Sequence, residues 1–499
     1  MIKTSLKAVN FIKNFKNLHN TDDFLQERAK NLIQEIFFKE RGILMKIAQG
    51  AEDLNSTITK DYEKICFPLS KIKDHIFKVL DPSKIDSIEE SQYPGSIAQV
   101  HRAKTTNGEI VAIKVKYPDI EKNLKEQLTL LKIGLSAGKL SPIGRWGIDF
   151  NGYSKMISSS IHDELSFDNE IHNMNRFISL NTPHLIIPKV YEDLCNNDVI
   201  VMSWIEGETI EDVIDHWTTT EKRNLAYKFT EMYLTTLLKD GFIQVDTNPG
   251  NFSFVKHPAG DISIIGHDYG NCLELTNEER GALLYLIHNI ANEFDIDLIS
   301  VFSDLSFNSE KLIHIEDQIH LLSKFLIEPF STNFAYDLKG WDLKHKIDLC
   351  LGENKWWFRS SGSPRFMKIT RSIYGILNII QKMESPVFFK KIFDQIYKTT
   401  GAQYSPQLRD KSHIPKFSDM ANFLNIVVCE DDREKVNIKL PASTIINLEE
   451  YIDSSVKEKL IKRDIHIEEI IKKAMKHSLR PQDIFFLEDK NKTYSVQLI

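Results

Sequence analysis

Lys114 closes the run Val111-Ala112-Ile113-Lys114, Asp246 is followed five residues on by Asn251, and a second acid opens Asp268-Tyr269-Gly270. These residue types suit chemistry on phosphates. A lysine on a strand supplies a cation for phosphate oxygens, and asparagine and aspartate oxygens can ligate Mg²⁺. A further acid can orient or deprotonate the attacking group. Asp246 and Asp268 lie 22 positions apart. The Asp-Thr-Asn-Pro-Gly run alone could be an ordinary turn. Two acid loops flanking a hairpin-like segment are much harder to explain that way.

These residues need elements to hold them. Val111, Ile113 and Val115 place Lys114 on a buried strand, and alternation puts Lys114 on the face opposite Ile113 and Val115. An ammonium aimed into a cleft needs an anionic partner. Glu170, in Glu164-Leu165-Ser166-Phe167-Asp168-Asn169-Glu170, is the acid expected to meet it from a helix spanning Tyr153 to Leu180. A hairpin is predicted from Ser96–Lys104 and Glu109–Lys116 around Asn107-Gly108. Strands are expected at Ile186–Val190 and Val199–Trp204, a capping box at Thr209/Asp212, and a helix over Lys222–Lys239 ended by Gly241. After the polar loop 244–251, strands are expected at Phe252–Val255 and Ile262–Ile265 around a Pro258–Gly260 turn.

Helical periodicity is expected over residues 8–80, over Ile120–Leu140 and from 277 to about 400. A charged linker, Arg409 to Lys416, precedes a last segment with strands at Ile426–Cys429 and Lys435–Leu440. Helices at Leu448–Ile461 and Ile467–Lys476 follow, then a hairpin of Ile484–Leu487 and Tyr494–Ile499. Strands early and helices late predict a two-lobed α+β fold. The expected divisions are an N-terminal helical extension (1–80), an N-lobe (81–205), a mainly helical C-lobe (206–408) and a small α+β accessory domain (424–499).

Composition narrows the function classes. Apolar content of 42%, charged content of 27% and a net charge of −7 are those of a globular protein and argue against a dedicated nucleic-acid binder. Five scattered cysteines, without a Cys-x-x-Cys, suit a reducing compartment. Neither a secretory signal nor a run of about 18 apolar residues is expected. A cytoplasmic location with peripheral membrane contact follows as the expectation. Lys3, Lys7, Lys13 and Lys16 beside Phe11, Phe15 and Leu18 could lie on an anionic surface, or the helix could simply dock on the protein.

The order Lys, Asp/Asn, Asp-x-Gly is that of protein kinases, but no Gly-x-Gly-x-x-Gly precedes Lys114. Instead the chain resembles the UbiB/AarF family of atypical protein-kinase-like proteins, which includes mitochondrial Coq-type members. That family carries Lys-x-Gly-Gln ahead of the core, matched here by Lys46-Ile47-Ala48-Gln49. Its alanine-rich loop ends Ser-Ile-Gly-Gln-Val-His, against Ser96-Ile97-Ala98-Gln99-Val100-His101, with Gly95 where alanine is usual. Lys114 followed by Tyr117-Pro118 resembles the nucleotide lysine. Glu164 and Glu170 resemble its two helix glutamates, with Ser166 replacing the aspartate of a Glu-x-Asp pair. Gln244-Val245-Asp246-Thr247-Asn248-Pro249-Gly250-Asn251 is similar to its catalytic loop, and Asp268-Tyr269-Gly270 to its Asp-Phe-Gly. The likeness covers roughly residues 30–280, and more weakly the helices to about 395.

The resemblance implies a kinase-like fold that binds ATP and Mg²⁺ and hydrolyses ATP slowly or transfers its γ-phosphate. Asp246 and Lys114 would be catalytic, and Asn251 and Asp268 would hold the metal. Lys114, Glu170, Gly95, Ser96, Ser203, Ile205, Lys46, Gln49 and Glu164 would surround the nucleotide, with Lys46 and Gln49 on a lid over the cleft. Ser166 alters the latch of that lid, and Ala48 and Ala98 stiffen segments where the family has glycine. A quinone precursor or lipid is the implied further ligand, in support of isoprenoid quinone biosynthesis or lipid homeostasis. A small-molecule or lipid kinase and a nucleotide-gated binding protein with little turnover are the alternatives.

Overall fold

A computed structural model describes residues 69–95, 97–122, 124, 163, 165–400, 404–407, 421–431, 433–463, 465–476, 479–489 and 491–499. Expectations for the N-terminal segment including Lys46 and Gln49, for Ser96 and Glu164, for most of Ile120–Leu140, and for the linker Arg409–Lys416 lie outside the described residues.

Helix α1 (Leu69–Val79) ends before Asp81, whose carboxylate accepts from Ser83 N at 2.9 Å and turns the chain into β1 (Ile85–Pro94). β2 (Ala98–Thr105) and β3 (Ile110–Lys116) follow, joined through Gly108 at φ 87°, a left-handed conformation that glycine adopts without strain. Next come α2 (Phe167–Leu180), β4 (Leu185–Ile186) and β5 (Val199–Ser203). The antiparallel sheet runs β1-β2-β3-β5. Hydrophobic alternation does not mark β1: Asp86, Glu89 and Glu90 interrupt it, and it meets β2 through two register shifts. The strand expected over Ile186–Val190 is cut short at Ile186. Pro188 has no N–H to donate, and Val190 makes an isolated bridge to Met202 instead.

One face of this sheet is the core of its half of the protein. Ile113, Val115, Val199 and Val201 form a buried cluster with Ile72 and Ile76 of α1 and Phe167 of α2. Alternation therefore turns Lys114, Ala112 and Met202 to the other face. Ala112 and Met202 lie there in a separate cluster with Phe177 and Tyr269.

α3 (Ile210–His216) starts at the Thr209/Asp212 capping box, and α4 (Thr219–Leu234) starts at a second one, Thr218/Glu221. The helix predicted to Lys239 widens into a π-helical turn over Thr235–Asp240 before Gly241 ends it at φ 66°. β6 (Phe242–Gln244), β7 (Phe252–Lys256), β8 (Ile262–Gly266) and β9 (Cys272–Glu274) follow. β7 and β8 form a hairpin extended by parallel β4, and β6 pairs with β9. α5 (Asn277–Ala291), shorter helices between 298 and 361, α6 (Pro364–Lys382) and α7 (Phe389–Thr400) complete a helical body.

The last segment has its own sheet, ordered β11-β10-β13-β12. It comprises β10 (Phe423–Glu430), β11 (Arg433–Pro441), α8 (Ser454–Lys462), α9 (Ile467–Lys476), β12 (Gln482–Asp489) and β13 (Lys492–Leu498). The single helix expected over Leu448–Ile461 is instead a 3-10 stretch, Ala442–Tyr451, followed by α8. Among the described residues no helix is long and apolar enough to cross a membrane.

Candidate active site

β3 delivers Lys114, and α2 delivers Glu170 because Ser166 starts that helix where it does. Ser166 sits at φ −91°, ψ 98°, and its Oγ accepts from Asn169 N at 3.2 Å. Of the helix expected over Tyr153 to Leu180, residues 153–162 and 164 lie outside the described residues; in the described part α2 begins after Ser166, whose hydroxyl satisfies an N–H that the first turn leaves open. Glu170 then falls in the first turn of α2, where the helix dipole favours a carboxylate.

Lys114 Nζ donates to Glu170 Oε1 at 2.6 Å, to Glu170 Oε2 at 2.9 Å and to Asp268 Oδ2 at 3.2 Å. Lys114 is 7% exposed and Glu170 1%. Burial works against the Lys114 ammonium, but the charges of Asp268 and Glu170 and their hydrogen bonds outweigh it, so the lysine pKa goes up. Burial pushes the Glu170 carboxyl up, Lys114 pulls it down, and the charge of Asp268 pushes it up again. Both Glu170 carboxylate oxygens lie within hydrogen-bond reach of the ammonium, the geometry of an ionised pair.

α2 also holds the second acid loop. Tyr269 N donates to Glu170 Oε1 at 3.3 Å, and Asn173 Nδ2 donates to Tyr269 O at 2.8 Å. Gly270 N donates to Asp268 Oδ1 at 2.9 Å, and Gln244 Nε2 donates to Asp268 O, tying this loop to the one after β6.

In that first loop Asn248 Oδ1 accepts from Gly250 N at 3.0 Å, shaping the turn before β7. Asn251 Nδ2 donates to Asp246 O at 2.8 Å, which leaves Oδ1 as its acceptor or ligand atom. α6 braces the loop from behind. Ser372 Oγ donates to Gln244 O at 2.6 Å, Thr247 Oγ1 donates to Ser372 O at 2.9 Å, and Tyr233 Oη donates to Ser372 Oγ at 3.0 Å. From the position before Ser372, Arg371 Nη2 donates to Asp246 Oδ1 at 3.0 Å. Sequence reasoning missed Arg371, because an arginine on the half-exposed face of an amphipathic helix reads as solvated surface.

Among the described residues no three histidine, cysteine or acidic side chains cluster to hold a metal ion. Asn251 Oδ1 and the Asp268 carboxylate, whose side chain is 41% exposed, fit a Mg²⁺ that takes its other oxygens from phosphates and water.

The remaining expected residues stand apart from this cluster. Gly95 gives its N–H to Ala98 O at 2.8 Å and accepts from Tyr117 Oη at 3.2 Å, so the β1–β2 turn is closed on itself. Ser203 donates its N–H to Lys189 O at 2.8 Å, and its Oγ accepts from Lys189 N at 3.0 Å. Ile205, half-buried, lies just beyond β5. Gln99 and His101 are fully buried and joined at 2.8 Å between Nε2 atoms, on the sheet face away from Lys114. The polar residues of Gln99-Val100-His101 therefore brace the sheet.

Comparison with known proteins places part of the chain in a known domain family. Residues 89–299 match the ABC1 atypical kinase-like domain. AarF domain-containing kinase 1 of Drosophila melanogaster is 26% identical over 272 residues, 50% of this chain and 51% of that protein. Probable protein kinase UbiB of Marinobacter nauticus is 34% identical over 212 residues, 40% of this chain and 37% of that one. The chain thus spans about half, or less, of the length of these curated relatives. Among solved structures, the Rv3197–erythromycin complex from Mycobacterium tuberculosis aligns with a TM-score of 0.46 at 20% identity, over 74% of this chain and 96% of that one. The α+β architecture is kinase-like, and over residues 89–299 the chain belongs to the UbiB/AarF family of atypical protein-kinase-like proteins.

Proposed function

We propose that the cleft between the four-stranded sheet and the helical body binds MgATP and passes the γ-phosphoryl group to water or to a hydroxyl. The observation that carries this reading is Lys114 Nζ held between Glu170 and Asp268, three residues brought together from three parts of the chain. Such a lysine orients phosphate oxygens, and its glutamate keeps it in place. Mg²⁺, held by Asn251 and Asp268, would neutralise charge on the phosphates. Asp246 takes the proton of the attacking oxygen as that oxygen bonds to the γ-phosphorus and the bond to the bridging oxygen breaks, leaving ADP with the electron pair.

On this reading residues 81–205 act as the N-lobe and 206–408 as the C-lobe. Ser203 and Ile205 contact the adenine through their backbone, and Gly95, Ser96 and Glu164 border the nucleotide. Residues 1–80, with Lys46 and Gln49, serve as the lid, and 424–499 as an accessory module. The family likeness supports a role in isoprenoid quinone biosynthesis or lipid homeostasis at a membrane surface, with a quinone precursor or lipid as further ligand.

The test is Mg²⁺-dependent ADP release by the full chain, with and without anionic liposomes, beside Asp246→Asn. Turnover that Asp246→Asn abolishes is expected, with stimulation by liposomes. A chain that binds MgATP without turnover would instead be a nucleotide-gated binding protein.

A further inference from the structure

We propose that Arg371 is a catalytic residue of this site, its guanidinium binding the terminal phosphate of the nucleotide. The inference rests on the MgATP reading above and adds a residue 125 positions beyond Asp246, outside the matched stretch 89–299.

The charge balance of the cleft calls for such a group. Two carboxylates, Asp268 and Asp246, border the proposed triphosphate site with partly exposed side chains, and Lys114 already gives its hydrogen bonds to Asp268 and to the buried Glu170. A polyanion entering there needs cations beyond that lysine and one metal ion. Arg371 is a further cation that the fold sets on a site carboxylate, 3.0 Å from Asp246 Oδ1.

Its backbone is fixed, while its half-exposed side chain is held at the Asp246 carboxylate. Next to it, Ser372 is fully buried and hydrogen-bonded to both Gln244 O and Thr247 Oγ1. Gly375, one turn on, lies so close that a Cβ there would sit 2.0 Å from Thr247 Oγ1. The helix is therefore keyed to the catalytic loop, whereas the Arg371 side chain is 43% exposed. An ion pair this exposed adds little to stability, so holding the fold is a poor account of it. A planar guanidinium fork matches phosphate oxygens, and the transition state of phosphoryl transfer spreads negative charge over three of them.

The same movement serves Asp246. As the guanidinium turns from the carboxylate to the phosphate, Asp246 Oδ1 is released to accept the proton of the attacking oxygen. The arginine neither gains nor loses a proton.

The experiment compares full-length wild type, Arg371→Ala and Arg371→Lys for MgATP affinity, MgADP affinity, melting temperature and turnover. Arg371→Ala is expected to weaken MgATP by about ten-fold or more and leave MgADP nearly unchanged, as loss of a charged hydrogen bond to the third phosphate requires. Turnover should fall by roughly 10³-fold or more, with partial recovery in Arg371→Lys and an unchanged melting temperature. Equal losses for ATP and ADP, or no loss for either, would overturn the assignment while leaving the nucleotide reading intact. A rise in turnover would also overturn it, marking Arg371 as a plug on Asp246. Wild type that binds neither nucleotide would remove the MgATP reading and this inference together.

Discussion

Gly375 of α6 lies against Thr247 of the loop that bears Asp246, with room for a hydrogen and no more. A Cβ built there would stand 2.0 Å from Thr247 Oγ1 and 2.7 Å from Thr247 O. Alanine is the better helix former by roughly 1 kcal/mol, so propensity alone predicts that Gly375→Ala stabilises. The clash with backbone decides the sign. We predict a net loss of about 1–3 kcal/mol in urea unfolding, with reduced turnover as the loop bearing Asp246 is pushed away. An alanine variant that is more stable and fully active would sink this account of the contact.

Glu170→Ala leaves the buried Lys114 with Asp268 as its remaining anion. Truncating one partner of a buried pair costs on the order of 3–5 kcal/mol, and the surviving contact should hold this case to the lower end. Nucleotide affinity should fall as well, because Lys114 loses its tether and Tyr269 N loses an acceptor. Calorimetric binding alongside chemical unfolding separates the two effects. Normal affinity in a folded Glu170→Ala protein would contradict the role given to this pair.

Tyr269 stands where the resembling family has phenylalanine, and its hydroxyl is buried without a hydrogen-bond partner among the described residues. Gly266 makes space for it, since a Cβ there would lie 2.1 Å from Tyr269 Oη. Removing an unsatisfied buried hydroxyl should help, so Tyr269→Phe is predicted to raise stability by about 1 kcal/mol with turnover unchanged. A lower melting temperature for Tyr269→Phe would show that the hydroxyl is satisfied.

Ser166 acts as a helix cap in this structure. Ser166→Ala is expected to cost about 1 kcal/mol, while Ser166→Asp, which also caps and adds a favourable charge at the N-terminus, should cost nothing. Thermal unfolding of the two variants provides the check, and equal destabilisation by both would argue against capping.

His314 lies 3% exposed and stacked on Trp357, ring centroids 3.4 Å apart. Burial lowers its pKa from 6.5 to about 3. Below an unfolded-state value near 6.5 the unfolded chain takes up a proton that the folded chain refuses. Stability is therefore full above that pH and declines as pH falls towards 3, by about 2 kcal/mol at pH 5. Unfolding measured at pH 7 and pH 5 should show a smaller difference in His314→Phe, which keeps an aromatic stack. Identical differences in both proteins would remove His314 as a cause.

Much of this protein was legible along the chain. The Asn107-Gly108 turn, the Thr209/Asp212 capping box, the alternation around Lys114 and the order of Asp246, Asn251 and Asp268 are all written in neighbouring residues. Short-range physics decides them: turn conformations, unsatisfied helix-end N–H groups and the two-residue period of a strand. What only the tertiary structure decided lies between distant positions. β1, poor in apolar alternation, is a strand because β2 offers it partners. The Ser166 cap divides a stretch whose periodicity reads as one helix. Gln99 and His101 bond to each other behind the sheet, and Arg371 meets Asp246 across 125 residues. No local pattern encodes such a meeting, because the contact energy depends on where two separately formed elements come to rest against each other.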